Sequence, residues 1–379
     1  MRTRGVRAAR MPALSVACLL GSAVTAATEG SEANQGARQE QVTVVDTMVA
    51  CRTCEISVTH LVTIGGIRDS VAAVGFPLVV QVNRRGMMYV VPRPSSQIAV
   101  YDQGGVLTQL IGRSGRGPGE FTAVSRILVD SNDSLIVFDD LGRRVSVFDS
   151  GGRYARSFVS PVFHTSSSTS VRLPDGNFVV GGMAGSPTSV GYPLHLVSAD
   201  GRILSSFGAA PPRADPSYES GGFRLITLHD GSIWSARPDR YEIESWTMGG
   251  ERRKTLRRPS TWFSPRYSEP KAVWGVDAPP PYLIDVQADP RGLLWTVLIV
   301  PRPDFKPPGE PRAYPLGEVA TIYRTMIEII DPNSGRVVAR RIVPSMVHGF
   351  AAPGMIYSHR EDAAGDLVYD VWRVQLEGL

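Results

Sequence analysis

The hydrophobic and polar positions of this chain form short apolar runs separated by polar turns. Between Ile127 and Gly152, three apolar runs are separated by polar turns, and the run from Val145 to Phe148 alternates with a period of two residues. Runs of this length and period predict an antiparallel meander of short strands rather than helices. One such unit cannot bury both of its faces alone, so the prediction depends on whether the pattern recurs.

The pattern does recur along the chain. A polar turn that ends in Gly or Asp and precedes an apolar strand occurs at residues 83–86, 130–133, 174–176, 229–231, 289–292 and 362–365. A second turn, usually richer in glycine, follows at residues 102–105, 149–152, 200–201, 249–250 and 331–335. Each pair of turns brackets two strands, as the inner and outer hairpins of a four-stranded sheet require. We therefore predict an all-β six-bladed β-propeller of four-stranded antiparallel blades over residues 42–379, with blades that start near residues 76, 122, 166, 220, 282 and 346.

The sixth copy of the pattern lacks its outermost strand, because the chain ends shortly after Gly378. An earlier apolar run, Ile56 to Ile64, has no other partner. We predict that this N-terminal run pairs with the strand around Val371 to Leu376 and closes the last blade, which would otherwise have an open edge.

The first 27 residues have the pattern of a secretory signal peptide. Four arginines precede a mostly apolar stretch, and small residues lead up to Ala27. Cys18 lies in a sequence that weakly resembles a lipoprotein cleavage box, but Ser15 occupies the position where leucine is expected, so we expect Cys18 to be removed with the signal. Residues 28–41 lack large apolar side chains and are interpreted as a flexible leader. The mature protein is expected in the periplasm or outside the cell.

The charge of the mature chain argues against nucleic-acid binding. The signal contains four of the 40 basic residues and none of the 36 acidic ones, so the mature protein is close to neutral and the pI of about 9.0 reflects the leader. A local basic cluster at residues 252–258 is interpreted as a charged, solvated edge on the outermost strand of the fourth blade. No second apolar stretch is long enough to span a bilayer. We expect a monomer.

Cys51 and Cys54 are interpreted as a small structural disulfide. A redox-active pair belongs at the start of a helix, and nothing helical surrounds these residues. A zinc site would need two more ligands, and only His60 lies close in sequence. An extended chain would separate the two residues by about 10 Å, whereas a disulfide tolerates about 7 Å. The bridge therefore requires a turn at Arg52 and Thr53.

Blade two resembles a known repeat. The segments 115–121, 127–130, 137–139 and 144–149 resemble an NHL-type repeat and, in particular, secreted bacterial proteins described as six-bladed β-propellers. The cysteine pair ahead of Leu61 to Gly65 fits the same group. The resemblance implies blades around an axis lined by their first strands, with an N-terminal strand that completes the last blade. Related propellers include lyases and lactone hydrolases with a central divalent metal, and also members that only bind ligands or proteins.

The histidines do not favour the metal-dependent alternative. A metal on the axis needs ligands at matching positions of several blades, whereas the six histidines fall at different positions of the repeat. His164 and His348 lie in connections that could face the axis, and they remain weak candidates for metal binding. No nucleophile elbow or HExxH motif is present. We predict no cofactor, with Ca²⁺ or Zn²⁺ in the channel as the alternative.

A dense charged group at residues 139–144 leaves two interpretations open. Arg143 and Arg144 could bind a ligand through a guanidinium fork. The same arginines, with Asp139 and Asp140, could instead form an ion pair between blades.

The long connections indicate where a partner would bind. In this topology the long segments 112–121, 181–193, 257–281 and 301–317 emerge on one rim, and tight turns occupy the other. Function on a rigid scaffold tends to lie among variable loops. We predict an exported scaffold that binds an unknown protein or small molecule at this mouth of the channel, without catalytic residues; the alternative is a metal-dependent lyase or lactone hydrolase. The candidate contacts are the walls Trp262, Trp274 and Phe305 and the polar residues Arg143, Arg240 and Lys306.

Overall fold

The computed structural model describes residues 41–44, 49–65, 79–91, 96–163, 169–185, 189, 191–208, 225–258, 262–263, 275–277, 279–311 and 319–379. The predicted signal peptide, most of the predicted leader, His164 and Trp274 lie outside these residues. Nearly all of the regular structure in the described part is β-strand.

Two strands precede the first blade, namely β1 Gln41–Val44 and β2 Glu55–Gly65. Blade 1 consists of β3 Val79–Val82, β4 Met88–Val91, β5 Ile98–Tyr101 and β6 Leu107–Ile111. Blade 2 consists of β7 Val124–Val129, β8 Leu135–Asp139, β9 Arg144–Phe148 and β10 Tyr154–Val159. The region of blade 3 contains β11 Val162–Phe163, β12 Ser170–Arg172, β13 Phe178–Gly181, β14 Met183–Ala184, β15 Leu194–Val197 and β16 Ile203–Phe207.

Blade 4 consists of β17 Leu225–His229, β18 Ser232–Arg237, β19 Glu242–Trp246 and β20 Arg252–Arg257. Blade 5 consists of β21 Tyr282–Ala288, β22 Leu294–Pro301, the short helix α1 Val319–Ile322, β23 Tyr323–Asp331 and β24 Arg336–Val343. Blade 6 begins with β25 Val347–Ala352, β26 Met355–Glu361 and β27 Leu367–Glu377.

The sheet topology confirms the predicted fold class. Six sheets each contain four antiparallel strands side by side, and β1 adds a fifth strand to the sheet of blade 4. β11 and β14 form a separate small pair beside blade 3. The closure prediction is also confirmed, because β2 pairs antiparallel with β27, with Ile56 opposite Leu376 and Ile64 opposite Tyr369. Both isoleucines are buried. The N-terminal strand is thus the outermost strand of blade 6.

The continuous apolar runs follow from the burial of both faces of each blade. In β8, Leu135 and Val137 contribute to the core shared with blade 1, whereas Ile136 and Phe138 contribute to the core shared with blade 3. Successive side chains of a strand point to opposite faces, so a strand between two cores is apolar at every position. Six such cores, one between each pair of neighbouring blades, complete the ring.

The recurring polar turns have a common hydrogen-bond pattern. The first residue is usually Asp, and its Oδ1 accepts hydrogen bonds from the backbone N–H groups two and four residues later, as Asp130 does from Asn132 and Ser134. Asp133 then adopts a left-handed φ of 59° in that turn. Asp and Asn satisfy turn backbones in this way, which explains their recurrence in the sequence. The same pattern occurs at Asn83, Asp102, Asp149, Asp289 and Asp362.

The N-terminal segment runs along the outside of three blades. β1 pairs parallel with β20, the outermost strand of blade 4. Val49 then bridges to Val337 of blade 5, and the Ala50 N–H donates to the Val337 carbonyl at 2.8 Å. β2 follows on blade 6. Gln41, which was assigned to the leader from the sequence, therefore belongs to the propeller.

The interpretation of residues 252–258 as a solvated edge is right for the exposed side chains of Arg252, Arg253 and Arg257 but wrong for the strand edge and for Arg258. β1 covers the edge of β20. Arg258 is almost completely buried and forms an ion pair with Glu328 at 3.0 Å. Arg252 and Arg257 pair with carboxylates of the neighbouring strand β19, namely Glu244 and Glu242. The sequence pattern did not show these carboxylate partners, one of which comes from the next blade.

Candidate ligand-binding site

A cavity of about 190 Å³ lies on the propeller axis, within the inner strands. Every blade contributes at least one residue to its wall, and most of these residues belong to the first half or the middle of an inner strand. In this antiparallel topology the inner strands begin at the rim where the chain enters each blade, so the cavity lies towards that rim. The polar lining residues are Gln81, Arg126, Thr169, Ser170, Tyr282, Asp285, His348 and Tyr357.

Two opposite charges face this cavity from opposite blades. Arg126 lies on β7 of blade 2 and Asp285 on β21 of blade 5, and in a ring of six these blades stand across the axis from each other. Burial raises the pKa of Asp285 from 3.8 to about 6, and the Arg126 charge opposes this shift. Burial likewise lowers the pKa of Arg126, and the charge of Asp285 opposes that change. At pH 7 Asp285 is therefore predominantly ionised, and Arg126 is charged because a guanidinium group keeps its proton in proteins. Both charges lie in surroundings that penalise charge.

Asp285 is held in place by backbone groups. Its Oδ1 accepts the Val286 N–H at 2.8 Å, and its Oδ2 accepts the Phe350 N–H of blade 6 at 2.8 Å. The second contact depends on Gly349, which has a φ of 149° and where an added Cβ would lie 2.8 Å from Oδ2. A side chain at position 349 would therefore displace the carboxylate. The arrangement fixes the direction of Asp285 and leaves lone pairs for a further donor.

The blade 6 side of the cavity carries neutral titratable groups. Burial, followed by the charge on His359, lowers the pKa of His348 to about 3. The two imidazoles stack with ring centroids 4.6 Å apart, and His348 Nε2 hydrogen-bonds His359 Nδ1. Burial also raises the pKa of Tyr357. At pH 7 His348 and Tyr357 therefore supply uncharged hydrogen-bonding groups.

His348 was expected in a connection between strands, and this placement is wrong. It lies on β25, the inner strand of blade 6, and contacts His359 of the neighbouring strand β26. Its suggested counterpart His164 lies outside the described residues.

The described residues do not fit a divalent metal on the axis. Among the cavity-lining residues only Asp285 and His348 have side chains of the usual ligand types, and Arg126 places a positive charge in the same space. Across the described ranges, no three His, Cys, Asp or Glu side chains converge. A catalytic zinc site typically has three protein ligands. The described residues around the cavity therefore lack the ligand set of such a centre.

Four of the residues predicted at the channel mouth do not belong to the wall of the axial cavity. Arg143 has a left-handed φ of 50°, is exposed, and places its guanidinium 5.2 Å from the ring centre of Phe163. Arg240 lies 3.6 Å from the carboxylate of Asp239. Lys306 is exposed and Phe305 is half-buried. None of these side chains lines the axial cavity.

Trp262, predicted as a wall of the ligand site, packs against a buried polar network between blades 4 and 5. Its ring lies 5.9 Å from the Arg258 guanidinium carbon and 6.3 Å from the Tyr241 ring. Arg258 and Tyr241 both bind Glu328, which is fully buried. The described contacts of Trp262 are therefore structural.

The charged group at residues 139–144 stabilises the connection between blades 1 and 2. Asp139 accepts the backbone N–H groups of Thr122, Ala123 and Gly142 at 2.7–3.0 Å. Arg144 donates to the carbonyls of residues 116, 117 and 120. These are contacts with backbone, whereas the sequence had suggested a ligand or an ion pair.

A disulfide joins Cys51 and Cys54, whose Cα atoms are 5.4 Å apart. The chain bends at Arg52 and Thr53 between them. The Thr53 hydroxyl donates to the Gly378 carbonyl at 3.2 Å, so this loop contacts the end of the closing sheet. Whether the pair is oxidised after export stays a prediction.

Arg126, Asp285 and Tyr357 were not among the site residues predicted from the sequence. A signal for two of them was present, because Arg126 and Asp285 each interrupt an apolar inner strand with a charge. A charged residue between two cores is costly unless its surroundings compensate it. That these two charged residues line the same cavity is visible only once the blades are arranged in a ring.

Comparisons with known proteins agree with the fold. A family model, DUF5128, described as "6-bladed beta-propeller", matches residues 38–206. No curated protein matches the sequence. A crystal structure from Bacteroides fragilis, of a protein described as exported, superposes with a TM-score of 0.53 at 12% identity, covering 88% of this chain and 100% of the other. A member of the DUF4221 family from Bacteroides vulgatus superposes with a TM-score of 0.54 at 10% identity, covering 85% and 99%.

A weaker similarity links the chain to an enzyme. Virginiamycin B lyase of Staphylococcus aureus superposes with a TM-score of 0.46 at 12% identity, covering 84% of this chain and 99% of the lyase. At this level the similarity carries no argument about activity.

Within the described residues, no helix is long and apolar enough to cross a membrane.

Proposed function

We propose that this chain is an exported binding protein and that the axial cavity takes up a small molecule. The observation that carries this proposal is the pair Arg126 and Asp285, which face one cavity from opposite blades. A cavity with apolar walls and a few placed polar groups is the usual form of a small-molecule site. The export component rests on the signal-like pattern of residues 1–27.

The two charges lie on inner strands that are otherwise largely apolar, and the described hydrogen bonds of Asp285 come from backbone N–H groups. Cores between blades are built from apolar side chains, and burying an ionised group there costs several kcal/mol. The pKa of about 6 at Asp285 shows that its charged form is disfavoured in this place. Groups kept in an unfavourable environment within a cleft are candidates for function.

Ligand-dependent thermal stabilisation tests the proposal. The mature protein is screened against small metabolites from three charge classes: anions, cations and zwitterions. Ile284→Trp fills the cavity from its wall, and the matched control Ile342→Trp adds the same side chain to the outer strand of blade 5, where Ile342 is 39% exposed. We expect a compound that stabilises the wild type and the control but not Ile284→Trp.

Arg126→Met provides a second route if Ile284→Trp does not fold. Its control is Arg116→Met, which removes an exposed cation from the connection between blades 1 and 2. A panel without any stabilising compound would contradict the proposal. So would a compound that stabilises Ile284→Trp and Arg126→Met as much as the wild type.

The metal-dependent lyase or lactone hydrolase remains the alternative, and metal analysis separates it. We expect the purified protein to hold no stoichiometric calcium or zinc and to melt at the same temperature after treatment with EDTA. A tightly held equivalent of either ion would favour the enzyme.

A further inference from the structure

The axial cavity presents opposite charges at opposite sides. Arg126 reaches it from blade 2 and Asp285 from blade 5, while His348 and Tyr357 of blade 6 are neutral at pH 7. The other titratable groups near the pair are Asp140, which interacts with Arg126, and His359, which contacts His348 and whose pKa is lowered by burial. A ligand on the axis therefore meets a cation on one side and a carboxylate on the other.

The charge pair discriminates between ligand classes. A simple anion would bind Arg126 but would place its charge near the carboxylate of Asp285, and a simple cation would bind Asp285 but face Arg126. Each would be repelled at one end or would require a change of protonation. A molecule with both charges satisfies both groups without such a change.

The size and walls of the cavity set a further limit. Its volume is about 190 Å³. This is below the ~300–1,000 Å³ of sites for drug-sized ligands. The apolar lining includes Val79, Ile127, Leu225, Ile284 and Phe350. The space suits one small molecule with an apolar group.

We propose that the cavity binds a small zwitterion of the apolar α-amino acid class, with its carboxylate towards Arg126 and its ammonium group towards Asp285. The inference rests on the proposed function and names its ligand class. Guanidinium–carboxylate and ammonium–carboxylate hydrogen bonds are charge-assisted, and both would form away from bulk water. The amide of Gln81 and the hydroxyl of Ser170 supply further hydrogen-bonding groups.

Calorimetric titration with three related probes tests the inference on the wild-type protein. L-leucine carries both charges, isocaproate lacks the ammonium group, and isopentylamine lacks the carboxylate. We expect leucine to bind. Each analogue should bind with an affinity lower by roughly tenfold or more, because it loses one charge-assisted hydrogen bond or ion pair. This comparison decides the question even if a variant fails to fold.

Two variants assign the ends of the ligand. Arg126→Met should remove the preference for leucine over isopentylamine, and Asp285→Asn the preference for leucine over isocaproate. The controls Arg116→Met and Asp304→Asn change exposed charges and should preserve both preferences.

The contradicting outcomes separate this inference from the function on which it rests. If isocaproate or isopentylamine binds as tightly as leucine and Ile284→Trp abolishes that binding, the axial ligand site stands and the zwitterion inference fails. The same holds if leucine does not bind while another compound of the panel does. If no compound binds, both fail.

Discussion

Replacement of Glu328 by glutamine should destabilise the propeller far more than replacement of a neighbouring carboxylate whose arginine partner is exposed. Glu328 is fully buried between blades 4 and 5 and accepts four hydrogen bonds. Tyr241 Oη donates at 2.7 Å, Arg258 donates through Nε and Nη2 at 3.0 Å each, and Arg340 Nε donates at 2.6 Å. Glutamine keeps the shape but turns one acceptor oxygen into a donor that faces these donors.

The expected cost follows from what the substitution leaves behind. The Arg258 side chain is only 1% exposed, so its charge would stay buried without a carboxylate. Breaking one side of a buried ion pair costs about 3–5 kcal/mol. A domain is typically stable by about 5–15 kcal/mol, so the loss is a large part of the total.

Urea unfolding followed by tryptophan fluorescence measures this cost, and Trp262 beside Arg258 reports on the site. The matched control is Glu242→Gln in blade 4, because Glu242 pairs at 2.8 Å with Arg257, which is 57% exposed. Exposed pairs contribute about 0–1 kcal/mol. The double variant Arg258→Met with Glu328→Gln removes both charges and should cost at least about 1 kcal/mol less than the sum of the single changes.

The reasoning fails if Glu328→Gln lowers the free energy of unfolding no more than Glu242→Gln does. Additive single changes in the double variant would likewise show that the buried pair does not act as a unit. In either case the contacts between blades 4 and 5 would owe their strength to apolar packing alone.

Three further predictions concern closure, the thiols and acid stability. Deletion of residues 27–50 should leave a folded protein that melts at a lower temperature, because β1 and Val49 cover outer strands. Deletion of residues 27–64 also removes β2 and should abolish cooperative unfolding. Equal melting temperatures of the two truncated proteins would contradict the closing role of β2. The denatured mature protein should show no free thiols, and a count of two would exclude the bridge between Cys51 and Cys54. Burial lowers the pKa of His195 from 6.5 to about 4, so between these two pH values the unfolded chain binds a proton that the folded protein does not. The free energy of unfolding therefore decreases as pH falls through this window. His195→Gln should reduce that decrease by at most about 3 kcal/mol in urea titrations at different pH values, and an unchanged pH dependence would contradict the assignment.

The architecture could be predicted from the sequence because its determinants are local. Asp130 and its counterparts mark turns through hydrogen bonds to backbone groups only two and four residues away. The run Leu135 to Phe138 is apolar throughout because both faces of its strand are buried. The incomplete last repeat and the unpaired run Ile56 to Ile64 together predicted the closing strand, which the pairing of β2 with β27 confirms.

The candidate site could not be predicted in the same way. Arg143, Arg240 and Lys306 were chosen because they lie in long connections, but their described contacts are local or exposed. The residues that line the cavity lie within strands, where the apolar pattern indicates a core. Whether these residues can bind one ligand together depends on which blade each of them occupies.

Local chemistry in the sequence by itself determined the strands and the turns of this protein, and the recurrence of that pattern along the chain determined the number of blades and the strand left to close the last one. Only the tertiary structure decided that Arg126 and Asp285, more than 150 positions apart in the chain, face each other across one axis. It also decided that Arg258 belongs to a buried network with Glu328 rather than to a solvated edge. The physical reason is that pairing along a strand is encoded by neighbouring residues, whereas the electrostatic surroundings of a side chain depend on the blades that close around it.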